Sequence, residues 1–191
     1  MLIIDIKTGN PTKTHQYQLC AYKNLVENGD SNINFDEENH IYTSNSGQIL
    51  PSVTHVLQLI QKWDYKNDFY ADRGTYIHKC CYAAMQGKLD FDAIEPEILQ
   101  YVENWLKFLD EKGLNYKPYN NNCKIEQKYW HEKYNYAGTI DIQYPLKSEK
   151  TELWLVYLQP DSHKVEKVKY TDQLFNDFLC ILRTYKLREG T

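Results

Sequence analysis

The stretch Leu2-Ile3-Ile4-Asp5-Ile6-Lys7-Thr8-Gly9 decides how the rest of the chain is read. Its period of two puts Leu2, Ile4 and Ile6 on one face and Ile3, Asp5 and Lys7 on the other. The apolar face needs a core. Asp5 and Lys7 project together on the opposite face, so this strand must serve a hydrophobic interior and a charged group at once. Thr8-Gly9-Asn10-Pro11 then breaks it.

Outward from this strand, a helix is predicted from about Thr14, with Tyr17, Ala21, Tyr22 and Leu25 at helical spacing and Gly29 as its C-cap. A hairpin-like stretch covers Asn34 to Ile49. Ser52 caps a following helix with a stripe of Val53, Val56, Leu57 and Ile60. Longer helices are expected over Asp68 to Gln86 and Pro96 to Lys112, the latter with Ile98, Tyr101, Val102, Trp105, Leu106 and Leu109 inward. Lys124 to Trp130 and Tyr136 to Tyr144 alternate like strands around a short polar turn, an antiparallel hairpin. Glu152 to Leu158 is another strand, Val165 to Tyr170 an edge strand, and Thr171 caps a final helix carrying Leu174, Phe175, Phe178 and Leu182.

At 191 residues the expectation is a single domain, 1–191, and 42% hydrophobic with 25% charged residues is ordinary globular composition. The longest apolar run, Leu153 to Leu158, is far short of the ~20 residues that cross a bilayer. Asp5 and Lys7 interrupt the N-terminus too early for a secretory signal, so a cytoplasmic location is expected. Five cysteines without C-x-x-C spacing suggest reduced, mostly buried thiols rather than a disulfide framework or zinc ribbon. A net charge of −4 lacks the basic footprint of an electrostatic nucleic-acid binder, so any such contact must be local. The 17 tyrosines suit strands and half-buried surfaces as well as base stacking.

An acid, a spacer and a lysine on a strand suit metal-dependent phosphodiester hydrolysis: the carboxylate binds a hard cation and the lysine sits beside the attacking water. The pattern occurs four times, at Asp5-Ile6-Lys7, Asp64-Tyr65-Lys66, Asp110-Glu111-Lys112 and Glu126-Gln127-Lys128. Asp64 and Asp110 fall near helix ends, where a solvated pair is the plainer reading; Glu126 lies on a strand. Three further elements stand out. Tyr136-Ala137-Gly138-Thr139-Ile140-Asp141 delivers an acid after two small residues, Gly74-Thr75-Tyr76-Ile77-His78 puts a histidine within a helix, and Gln18 shares a helical face with Tyr22. Each has an ordinary explanation: a strand-end turn residue, a hydrogen-bonded histidine, an amphipathic helix.

Together the four motifs resemble the PD-(D/E)XK nuclease superfamily, in its RecB-type branch with the phage and mitochondrial genome maintenance exonucleases. That branch combines a G-x-x-x-H helix, a G-T-x-D strand, a D-x-K-T-G strand and a Q-x-x-x-Y helix. Leu50-Pro51-Ser52-Val53-Thr54 also resembles its leading P-S-V-T helix. The resemblance implies an α/β fold with a restriction-endonuclease-like core, a central mixed β-sheet flanked by helices. It also implies permuted connectivity, because the D-x-K strand and its helix (residues 1–29) here precede everything else. The N-terminal strand is then expected beside Tyr136 to Tyr144. The implied site has Asp5 and Asp141 holding one or two Mg²⁺ or Mn²⁺ ions, with His78 and the carbonyl of Ile6 completing the shell and Lys7 stabilising the attacking hydroxide. Gln18 and Tyr22 would steer the DNA strand or support Lys7, and Glu126 could join through water. No C-terminal cysteine triplet is present, so no iron-sulfur cluster is expected. The implied activity is DNA exonuclease in phage or bacterial recombination, repair or processing. The rivals are a non-catalytic nucleic-acid-binding or structural module that keeps the fold, and a cation-dependent hydrolase using Glu126-Gln127-Lys128.

Overall fold

The N-terminal strand β1 (Leu2–Lys7) lies in the middle of a five-stranded sheet. The structure is a computed structural model describing the backbone of residues 1–61, 68–114, 123–146 and 150–190, and the side chains of all of these except 68–71. Strand β1 pairs antiparallel with β6 (Tyr136–Tyr144) on one side and parallel with β7 (Glu152–Leu158) on the other. Strand β5 (Lys124–His131) closes the sheet beyond β6, and β8 (His163–Val168) beyond β7, giving the order β5-β6-β1-β7-β8. The protein is therefore an α/β fold with a central mixed sheet.

Both faces of the sheet are covered by helices, which is why β1 reads as a nearly continuous apolar run. Leu2, Ile4 and Ile6 pack with Trp154, Val156 and Leu158 under α3 (Asp68–Met85) and α4 (Pro96–Glu111). Ile3 faces the other way, with Leu153, Leu155 and Tyr157, under α1 (Lys13–Asn28) and α5 (Asp172–Glu189). A strand wanted by two cores is held from both. Thr171 caps α5 as expected, its hydroxyl accepting from the Leu174 N–H.

Three sequence expectations are corrected. The hairpin-like region is a separate three-stranded sheet, β2 (Asn34–Asp36), β3 (Ile41–Thr43) and β4 (Ile49–Leu50). Helix α2 is only Val53–Leu57, so Ile60 lies past its end and is exposed instead of completing the stripe. On α4, Phe108 is fully buried against Trp105 while Leu106 is half-buried, because the inward stripe is wider than the residues first assigned to it. Asp64-Tyr65-Lys66 lies outside the described residues. Among the described residues no helix is long and apolar enough to cross a membrane, and Cys20, Cys80, Cys81, Cys123 and Cys180 are all free thiols.

Gly138 shows how tightly α1 meets the sheet. A Cβ there would sit 2.9 Å from the Tyr22 ring and 3.2 Å from Leu25, both buried side chains of α1. Overpacking of this kind costs about 1–3 kcal/mol. Gly138→Ala is therefore expected to lower stability by that amount in urea denaturation; a neutral substitution would show that α1 does not press on β6 here.

Candidate active site

The β1–β6 ladder runs from Leu2 opposite Tyr144 to Ile4 opposite Ile142. At the next turn of the ladder the Ile6 N–H donates instead to the carboxylate Oδ2 of Asp141, at 2.8 Å. A side chain has replaced a main-chain acceptor, which satisfies the buried donor and parts the two strands where Asp5 and Asp141 sit. The neighbouring hairpin is distorted at the same level. Ile140 packs into one core and Ile142 into the other, although residues two apart on a strand normally share a face. On β5 the same switch separates Tyr129 from Ile125. Glu126 stands at the switch in a left-handed conformation, φ 49°, between residues that pair with Ile142 and Ile140. Such a conformation is uncommon for a residue other than glycine.

Four side chains close around this gap from β1 and α1. Asp5 is buried at 2% exposure, and the Lys7 Nζ lies 2.9 Å from its Oδ2. The same ammonium donates to the Gln18 Oε1 at 3.0 Å, and the Gln18 amide donates to the Tyr22 hydroxyl at 2.8 Å. Gln18 and Tyr22 are both buried, one turn apart on the face of α1 that meets the sheet. Burial, and next the charge of Asp141, push the Asp5 carboxyl up to about 6, although Lys7 pulls it down. Burial raises Asp141 as well, against Lys7 and the Ile6 N–H.

Two adjacent buried acids with one lysine between them favour an additional cation. Asp5 Oδ2 lies 2.9 Å from the Lys7 ammonium, and the Asp5 and Asp141 carboxyl groups also hydrogen-bond each other, so the two acids are held side by side at the gap. Among the described residues no three His, Cys, Asp or Glu side chains converge closely enough to hold an ion by themselves. The side chains here that could hold a cation are the two carboxylates, with His78 beside Asp141, and carboxylate oxygens suit Mg²⁺ or Mn²⁺.

His78 approaches from α3, its Nδ1 3.8 Å from Asp141 Oδ2. Burial, and next the charge of Lys7, lower its pKa to about 4, so the imidazole is neutral at pH 7 and this contact is not an ion pair. A neutral ring is the form that can bind a metal. Helix α3 comes this close partly through Gly74, where a Cβ would meet Thr8 Oγ1 at 3.1 Å.

Sequence reasoning missed three neighbours. Tyr82, one turn beyond His78, brings its hydroxyl to 3.5 Å from His78 Nδ1 and hydrogen-bonds Asp141. Its signal was the four-residue spacing from His78 on the same helix. Tyr42 shares a hydrogen bond with Thr139 at 2.7 Å, and His15 meets the Tyr157 hydroxyl at 3.1 Å. Tyr42 comes from a short strand with no motif, and His15 stands on α1 outside the Gln18–Tyr22 pair. Glu126 is exposed and makes no described ion pair, though its charge is felt by Tyr82 and Tyr42. Asp110-Glu111-Lys112 closes α4 and is solvent-exposed.

The buried acids set a pH dependence. A carboxyl raised on folding withdraws stability as pH climbs from its unfolded value of roughly 3.9 to its folded one, here about 6. Asp5→Asn removes this charge with little change of shape. In the presence of chelator the variant is expected to be more stable than wild type at pH 7.5, by a margin that shrinks below pH ~6 and vanishes near pH ~4. Paired urea titrations across that range measure it, and a margin independent of pH would show that Asp5 is not held protonated by the fold.

Scans of the chain against protein-family models, curated proteins and solved structures returned no match.

Proposed function

We propose that this chain is a divalent-cation-dependent nuclease of the PD-(D/E)XK superfamily, in its RecB-type exonuclease branch, hydrolysing phosphodiester bonds of DNA. The observation that carries this reading is the meeting of Asp5, Lys7 and Asp141 in one buried gap, with the two carboxyl groups within hydrogen-bond reach of each other. Ile6 and Asp141 are 135 residues apart in the chain, so the convergence is not a consequence of local sequence. Asp5, Asp141, His78 and the Ile6 carbonyl would hold one or two Mg²⁺ or Mn²⁺ ions, the imidazole making Mn²⁺ a good competitor. When bound, the cation supplies Lewis-acid activation of water and neutralises charge on the scissile phosphate.

The remaining work falls to the chain. Lys7 carries a positive charge and cannot be a metal ligand; its ammonium stabilises negative charge growing on the attacking oxygen and the phosphate. Gln18 fixes where that ammonium points, and Tyr22 fixes Gln18. Tyr82 holds both Asp141 and His78 in orientation. Glu126, beside Asp141, is the auxiliary acid that could act through water. On the same reading the connectivity is permuted: the strand-helix unit that the family inserts after its G-T-x-D strand comes first here, and β7 is the next strand after β6 in the chain. The protein would act in the cytoplasm on DNA with free or single-stranded ends, in phage or bacterial recombination, repair or processing.

End-labelled single- and double-stranded DNA with Mg²⁺, Mn²⁺ or chelator tests this. Wild type is expected to cut only with a cation, and Asp141→Asn to lose cleavage without any loss of thermal stability. Lys7→Ala should retain Mn²⁺ binding by calorimetry while turnover falls by about 10². Cutting that survives chelator, or near-normal turnover by Lys7→Ala, overturns the mechanism. A chain that binds DNA but never cuts it is the non-catalytic module instead.

A further inference from the structure

Where β7 begins and β8 ends, a groove of about 540 Å³ opens among Lys23, Lys150, Lys167, Lys169, Trp154 and Tyr170. Glu27 and Glu152 also line it, so four lysines face two acids in a chain whose net charge is −4. Both acids are engaged: Glu27 pairs with Lys23, and Glu152 lies 3.5 Å from Lys167. Two of the ammonium groups rest on aromatic faces, Lys23 at 4.4 Å from the Tyr170 ring centroid and Lys167 at 4.6 Å from that of Trp154. These rings restrict the lysine stems before any ligand arrives, which lowers the entropy cost of binding an anion.

The groove and the buried acids share their supports. Leu2 pairs with Glu152 and Asp5 with Leu155, so the groove rim lies three residues, ~10 Å, from Asp5 along the sheet. Helix α1 contributes Gln18 and Tyr22 at one end and Lys23 and Glu27 at the other. The volume is that of a small-ligand pocket and suits a flexible strand better than a rigid duplex.

We propose that this groove binds the phosphates of single-stranded nucleic acid, and that it is the local basic contact of an otherwise acidic protein. The proposal deepens the nuclease reading and rests on it for the choice of ligand. Each lysine that neutralises a phosphate on a single strand contributes about 0.7 to the slope of log affinity against log salt.

The test is fluorescence anisotropy of a fluorescein-labelled oligothymidylate over a series of KCl concentrations, in chelator so that nothing is cut. Lys167→Gln with Lys169→Gln is expected to weaken binding on the order of tenfold and to flatten the salt slope by about 1.4. Lys88→Gln with Lys107→Gln changes net charge equally at exposed positions outside the groove and should leave both values unchanged. Because Lys167 also packs on Trp154, Lys150→Gln with Lys169→Gln serves if the first pair lowers the melting temperature. No loss in the groove variants, or an equal loss in the control, overturns the proposal. Groove-dependent binding by a chain that never cleaves DNA would leave the groove standing and remove the nuclease reading; cleavage with binding indifferent to the groove lysines would do the reverse.

Discussion

The bond from the Ile6 N–H to the Asp141 carboxylate is the point on which the arrangement turns. In an uninterrupted antiparallel ladder that N–H would meet a main-chain carbonyl, and the strands would close over the space between them. With the carboxylate as acceptor the strands part while the donor stays satisfied, and the gap opens inside the sheet instead of at its edge. Asp5 is consequently buried beside a second acid, at a cost that neither Lys7 nor the backbone offsets in full. A fold that keeps two such groups charged near neutrality is less stable than one with an amide in either place. That expense is intelligible if a cation is what the two acids are for.

The distortion of β5 and β6 belongs to the same economy of space. If the β6 alternation had continued unbroken, Ile140 and Ile142 would face the same core, and the helices on one side would lose an anchor. The left-handed residue Glu126 lets the hairpin twist so that each isoleucine reaches a different core. Asp141 falls at that twist, between two residues facing opposite ways. The irregular backbone and the acid pair thus occupy one level of the sheet.

Much of this was legible in the sequence, and for a definite reason. The two-faced pattern of Leu2 to Lys7 demands a central strand, and β1 is central. Gly138 and Gly74 stood out as small residues in motifs, and each proves to be a place where a neighbouring element comes too close for a Cβ to fit freely. What escaped were contacts made by residues without a motif. Tyr42 arrives from a three-stranded sheet whose strands are two or three residues long, too short to show a period. The face switch at Glu126 could not be read either, because alternation continues in the letters while the backbone reverses it. Ile60 failed for the opposite reason: its spacing was helical, but the helix stopped at Leu57.

The position of β1 also explains how chain order can be separated from spatial order. A strand with one buried face can sit at several places in a sheet, and its connections help to choose among them. Leu2, Ile3, Ile4 and Ile6 are all fully buried, two cores compete for opposite faces, and both edges are hydrogen-bonded. Those demands are met in one slot, between β6 and β7, whichever end of the chain supplies the strand. Where β7 begins, the Glu152 N–H donates to the Met1 carbonyl and fastens the starts of the two strands together. Helix α1 then returns over the face that carries Ile3, Asp5 and Lys7, which brings Gln18 to Lys7 without any long-range connection. The unit of β1 and α1 therefore carries its own half of the site wherever it stands in the sequence, and the sheet needs to supply only Asp141 beside it.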